Sequence, residues 1–353
     1  MPPHTTLARL LLGAALACAA AAQAAPPPGP PHGPQQYYRP KALLPFTPGQ
    51  GSGVAMVINE RGQVCGSSSG PTGAFCYRNG VVVDLLPLPG DDNVAVSGIN
   101  DKGQVVGFSQ NTGTFHRRAV VFVNGAATEL PLPAYPQSVA AGINEAGDIV
   151  GAHADAGGAT VAFLYRHGRV QDLGTLGTTV RSSGAADINN GGLVVGTSLT
   201  DIPTSSYYEG RAFTWRHGQM SALPTPAGYS SVGARVNERG QVVGRIEGNE
   251  AGFETWRAVV WDKGRMTVLL DEPSDARGVN NRGQVVGGVL TRSGGFLYEP
   301  GKGTRSLNEL VAPGNGWDIV YAQDINDRGQ IVGYGCREGL CGPVLLDPPG
   351  KDD

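Results

Sequence analysis

The sequence predicts an all-β protein: one seven-bladed β-propeller, four strands per blade, closed by an N-terminal strand that completes the last blade. Three observations carry this. One motif recurs seven times: a small residue, two variable residues, Ile or Val, Asn, two or three polar residues, then G-x-x-V-G or close to it. Its Asn stands at Asn59, Asn100, Asn144, Asn189, Asn237, Asn280 and Asn326. The spacings of 41, 44, 45, 48, 43 and 46 residues match the period of a propeller blade. Each unit holds four short Val-, Ile- and aromatic-rich segments punctuated by Gly, and no window sustains a 3.6-residue period, so almost no helix is expected.

The first 24 residues read as a secretory signal peptide. Arg9 precedes an apolar run from Leu10 to Cys18, and Ala22-Gln23-Ala24 forms an A-x-A cleavage signature. A lipoprotein acylated at Cys18 is the minor alternative, because Leu16-Ala17-Cys18 makes a crude lipobox. Residues 25–37 are Pro-rich and read as an extended linker, residues 38–349 as the propeller and residues 350–353 as a tail. No later stretch reaches the roughly 18 apolar residues that span a bilayer, so no transmembrane anchor is expected.

Within a unit, strand one ends at Ile-Asn and strand two is the Gln-Val-Val-Gly segment. Strand three is Ala-Phe-x-Trp or its like (74–77, 119–122, 162–165, 212–215, 258–261, 295–298), and strand four ends at a Leu. Turns such as Asn59-Glu60-Arg61-Gly62 and Asn79-Gly80 suit tight hairpins in which Gly supplies positive φ. Strand one opens on Ala55, Val96, Ala140, Ala185, Gly233, Ala276 and Ala322. Innermost strands converge on the central channel, so these small residues are expected to line it. The seventh unit ends without a strand four, and Lys41–Gly49 resembles Val83–Gly90 of the first unit. Residues 41–46 are therefore expected to supply the outer strand of the last blade.

The I-N-x-x-G-Q-V-V-G segment followed by A-F-x-W-x-x-G resembles the HAF repeats of extracellular bacterial proteins, over about residues 50–347. The eponymous His is absent: Gly73, Arg118, Val161, Arg211, Arg257 and Gly294 stand in its place. The resemblance implies export and a repeat fold, and it implies no reaction and no catalytic residues.

Four cysteines follow the signal segment. Cys65 and Cys76 fall on strands two and three of one unit, and Cys336 and Cys341 flank the equivalent connection of the last. Both pairs suit local disulfides in an oxidising compartment. A zinc site is disfavoured because C-x4-C lacks a matching second pair. No other metal site and no cofactor is expected, although Asp324–Gly329 faintly resembles a calcium loop.

With 27 Lys and Arg against 30 Asp and Glu, and no basic cluster, the chain lacks the charge stripe that nucleic acid demands. The 40% hydrophobic content supports a large core. Gly66–Gly70 matches G-x-S-x-G, but Pro71 and Gly73 follow where a nucleophile elbow needs a helix. His116 and His153 read as loop residues, and His167 and His217 as hairpin-turn residues.

Turns one-two and three-four are short and uniform, whereas connections two-three and four-one vary, which puts all the variation on one propeller face. The longest loops, 197–211 and 245–257, carry Tyr207, Tyr208, Arg211, Phe253, Trp256 and Arg257, and Trp317 extends another. Rings beside Arg suit stacking on a sugar or anchoring a protein. The first expectation is thus a secreted or periplasmic, non-catalytic and monomeric binding module with a glycan or protein ligand. One alternative is a glycoside hydrolase or polysaccharide lyase using Glu209, Glu250, Glu254 or Asp318 on that face. The other is a structural surface or matrix protein.

Overall fold

The computed structural model describes residues 37–44, 53–68, 73–132, 137–155, 157–204, 208–250, 253–291 and 294–350. The expected signal peptide and all of the linker but Tyr37 lie outside the described residues, as do the last three residues of the tail. The compact unit, Tyr37–Asp353, is a seven-bladed propeller of seven four-stranded antiparallel sheets. Blade 4 is typical, with Ser183–Ile188 innermost, then Val194–Pro203, Tyr208–Arg216 and Gln219–Ala222 at the rim. Among the described residues one helical turn, Leu307–Leu310, interrupts the strands.

Blade 7 draws on both ends of the unit. Trp317–Ile325, Ile331–Arg337 and Leu340–Asp347 come from the C-terminal side, and Arg39–Ala42 adds the outer strand by pairing with Leu340–Asp347. The strand begins and ends earlier than the expected 41–46, and Pro45 and Phe46 lie outside the described residues. It stops at Ala42 because Leu43 turns inward, as Leu85 does after blade 1's outer strand. The Leu43 N–H donates to Pro343 O, as the Leu85 N–H donates to Ala74 O. Leu43 then packs with Phe75, Tyr77, Val332 and Leu345.

The core is divided into seven apolar layers, each between two adjacent blades. One such layer joins Ala162 and Leu164 of blade 3 to Ala185, Val194, Phe213 and Trp215 of blade 4. The small residues that open strand one belong to these layers: Ala55, Ala140, Ala185, Ala276 and Ala322 are all buried there. They do not line the channel, contrary to expectation. A β-bulge immediately after each of them inserts one residue, so the wall of the channel falls two positions later.

The bulge also explains the last Gly of Gln-Val-Val-Gly. Gly66, Gly107, Gly151, Gly196, Gly244, Gly287 and Gly333 each pair with the small residue. A Cβ on any of them would lie 1.9–2.2 Å from a strand-one carbonyl oxygen. In blades 3 and 6, Phe163 and Phe296 cover the space that this leaves.

Each repeat Asn is buried and holds two structures at once. Its Oδ1 accepts the N–H four residues on, closing its own turn. Its Nδ2 donates to the carbonyl oxygen of the next blade's Asn at 2.9–3.3 Å. The last of these bonds, from Asn326 to Asn59, closes the ring. A second ring lies outside it. The N–H of the following residue donates to a side-chain oxygen of its counterpart in the next blade, from Glu60 to Asp101 round to Asp327 and back to Glu60.

Nearer the opposite face, a Ser at the start of strand one accepts the N–H of the strand-three Ala of the preceding blade. This occurs between Ala119 and Ser138, Ala162 and Ser183, Ala212 and Ser231, and Ala258 and Ser274. Both expected disulfides are present, each between directly opposed residues, with Cα atoms 4.1 Å apart for Cys65–Cys76 and 3.9 Å for Cys336–Cys341.

Asn189→Ala removes one ring bond and leaves the Leu193 N–H without its acceptor, so it should cost about 2–3 kcal/mol of stability by chemical denaturation. An unchanged denaturation midpoint would show that the ring carries no load. Deleting residues 38–44 should lower the thermal midpoint far more than any single substitution, because it strips blade 7 of its outer strand; calorimetry on the shortened chain checks this.

Candidate functional site

The uniform face carries the Asn turns and cannot vary without breaking the rings. The opposite face varies, but its two longest connections are strands, not loops. In blade 4, Val194–Pro203 and Tyr208–Arg216 continue as a hairpin arm, paired to Leu199–Gly210 and again at Pro203–Tyr208. In blade 5, Val242–Glu250 and Phe253–Asp262 pair without interruption to Glu250–Phe253.

These arms fix the expected site residues. Tyr207 lies outside the described residues. Tyr208 opens its strand and is 37% exposed. Arg211 forms an ion pair with buried Glu209 and also donates to Thr225 O. Phe253 opens a strand, and its side chain is outside the described structure. Arg257 stands opposite Ile246, half-buried. Trp317 is half-buried and packs against the layer between blades 6 and 7, so it caps its own blade. Trp256 sits in a cluster of an aromatic ring and a paired guanidinium and carboxylate. It stands opposite Glu247, and the Arg245 guanidinium lies 4.7 Å from its ring centre while Arg245 Nε donates to Glu247 at 2.6 Å.

A second cluster on the same face, in blades 6 and 7, consists of residues that sequence reasoning missed. Arg277 lies 5.0 Å over the Tyr321 ring and donates to Asp275 Oδ2 at 2.8 Å. Tyr321 stacks on Tyr334 with ring centres 5.5 Å apart. Burial raises the Tyr321 phenol pKa, opposed by the Arg277 charge. Gly288 faces this group: a Cβ there would meet Tyr321 Cβ at 3.2 Å and Asp275 Oδ1 at 3.6 Å.

The aligned repeats held the signal. At the bulge, Met56, Ser97, Ala141, Ala186, Ala234 and Gln323 are uncharged where Arg277 is charged. Two positions earlier, only Asp275 and Tyr321 break a run of Val, Ala and Gly. Both clusters have one composition: an aromatic face, a guanidinium over it and a carboxylate holding the guanidinium in place.

The channel itself is charged at three of its seven equivalent positions. In blade order these positions are Val57, Gly98, Gly142, Asp187, Arg235, Gly278 and Asp324, so the charged ones fall in blades 4, 5 and 7. Val57, Gly98, Asp187, Arg235 and Asp324 line a cavity of about 170 Å³, and Arg235 reaches across to Ser97 O at 3.1 Å. Asp187 accepts the Val236 N–H, and Asp324 accepts those of Ile58 and Ile325. Desolvation raises both carboxyl pKa values, Asp324's to about 6, against the opposing pull of Arg235. A carboxyl whose folded pKa is raised favours the fold below its unfolded pKa, and that contribution is lost as pH climbs through the folded value.

The oxygens of the calcium-like segment are thus in use, with Asp327 in the outer ring. Among the described residues no cluster of three or more His, Cys, Asp or Glu could hold a metal. His153 is not in a loop: it sits in the strand Ile149–Ala154, buried and 2.8 Å from Asp172. His167 and His217 do occupy hairpin turns, with φ of 50° and 52°. Of the candidate catalytic carboxylates, Glu209 is paired with Arg211, and Asp318 accepts from Asn308 at 2.8 Å. The side chains of Glu250 and Glu254 lie outside the described structure.

The chain matches no known protein-family model and no curated protein. Several solved structures are similar to it. One is the extracellular domain of a protein described as a one-component system from B. thetaiotaomicron, at 10% identity and TM-score 0.52. That match covers 89% of this chain and 40% of the other, so the chain spans two-fifths of the length of that extracellular domain. A streptogramin B lyase matches at 11% identity and TM-score 0.51, covering 89% and 99%. A puromycin-hydrolysing peptidase of Mycobacterium tuberculosis matches at 12% and 0.55, covering 88% and 56%. These likenesses support the propeller fold and nothing finer.

Asp324→Asn should flatten the pH dependence of stability between about pH 4 and about pH 7, since over this range the unfolded chain releases a proton that the native protein, with its Asp324 pKa raised to about 6, still holds. Thermal midpoints of both proteins across this range test it; identical slopes would contradict it.

Proposed function

We propose that this protein is an exported, non-catalytic recognition module of the HAF-repeat type that takes a glycan or protein ligand on its variable face. The observation that carries the reading is where the sevenfold pattern breaks. Trp256 with Arg245 and Glu247, and Tyr321 and Tyr334 with Arg277 and Asp275, lie in neighbouring blades on the one face that the Asn rings leave free. Aromatic faces flanked by oriented polar pairs stack on sugar rings or anchor a protein segment. Glu209 and Asp318, the described carboxylates considered for catalysis, are engaged within the protein, which favours binding over hydrolysis. Export is supported by the two cross-strand disulfides and by the signal-like N-terminal segment. Among the described residues no helix is long and apolar enough to cross a membrane.

Trp215 and Trp261 are buried, whereas Trp256 and Trp317 are half-buried, so ligand binding at the variable face should alter the emission of the latter two. Titration against arrayed glycans and envelope components should give a saturable change that Trp256→Ala abolishes while leaving the thermal midpoint within a few degrees. Saturable binding that survives both Trp256→Ala and Arg277→Ala would move the site elsewhere.

A further inference from the structure

The rim of blade 1 departs from the pattern of the other six. Its outer strand is Val81–Asp84, where other blades place Ala126–Glu129, Arg169–Gly174, Gln219–Ala222, Arg265–Val268, Gly303–Ser306 and Arg39–Ala42. Val81, Val82 and Val83 are 62%, 41% and 47% exposed. Alternation along a strand sends Val81 and Val83 to the same side. There they join Leu85, Val105 and Phe122 in lining a groove of about 610 Å³ between blades 1 and 2, within the size range of small-molecule sites.

Arg78 and Lys102 also line this groove, and no Asp or Glu does. Lys102 donates to the Glu145 carbonyl, which leaves its charge unneutralised, and no side chain among the described residues pairs with Arg78. The corresponding groove at blade 3 differs: Arg169 and Gln171 stand where blade 1 has Val81 and Val83, beside Leu164, Arg166 and His167, and Arg166 is paired with Asp148. An apolar floor under two uncompensated cations calls for an occupant with an apolar body and a negative head. Residues 1–36 of this chain contain no Asp or Glu and do not supply that head.

We propose that this groove binds an amphipathic carboxylate, its tail along Val81, Val83 and Phe122 and its head between Arg78 and Lys102. The site lies at the face of the uniform turns and does not depend on the ligand of the variable face.

Calorimetric titration of the full chain with sodium octanoate tests this, with octylammonium and octyl glucoside as comparators. Octanoate should bind saturably at one site per chain, and the two comparators should not. Arg78→Glu should weaken octanoate binding at least about tenfold, the loss of one charge-assisted hydrogen bond. Val83→Asp should abolish it. Both substitutions fall on exposed positions and should keep the native thermal midpoint, and Trp256→Ala should leave octanoate binding unchanged. No octanoate binding, equal binding of octylammonium, or octanoate binding unaltered by Val83→Asp would overturn the proposal. Loss of octanoate binding in Trp256→Ala alone would reassign it to the variable face.

Discussion

The closed ring of Asn side chains is the interaction on which the rest of this molecule depends. A propeller has no covalent closure and no central core; each blade packs its apolar faces against its two neighbours. One Asn per blade answers this with both ends of its amide. The oxygen shapes the turn of its own blade, and the nitrogen grips the same turn of the next. The bond from Asn326 to Asn59 joins residues 267 apart with the geometry of the other six, so the ring meets itself without a gap. The outer strand Arg39–Ala42 does at the rim what this bond does at the centre.

That constraint divides the surface. On the turn face the Asn, the residue after it and the Gly of the turn are all committed, and sequence change there breaks a bond between blades. On the other face, strands two and three can lengthen freely, as they do in blades 4 and 5. The three remaining places where side chains escape the repeat are the bulge of strand one, the channel wall and the outer strand. Arg277, the Asp187–Arg235–Asp324 group and Val81–Val83 are the departures at those places. A scaffold whose repeated residues serve cohesion leaves its unrepeated ones free to differ from blade to blade.

Much of this was legible in the chain. The period, the four segments per unit and the missing last strand together led to the seven blades, and the likeness of Lys41–Gly49 to Val83–Gly90 located the closing strand, two residues late at its start and four at its end. Both disulfides followed from their places on neighbouring strands. The site was less legible. Trp256 stood out because it is aromatic in a long connection, and Trp317 stood out for the same reason, yet one joins a cluster and the other caps a core layer. Asp275, Arg277, Tyr321 and Tyr334 were passed over because they lie inside regular strands.

The sequence by itself determined the architecture, because a repeat fold is written in local periodicity: hydrogen-bonded turns and strand lengths are decided by residues a few positions apart. Only the tertiary structure decided what each repeated residue is for. The partner of every Asn stands 41 to 48 residues away, or 267 at the closure, and the side to which a strand residue points depends on a bulge that inserts one position. Ala185 therefore enters a core layer, and Asp187, two residues on, enters the channel. Direction in space, not residue type, separates the two.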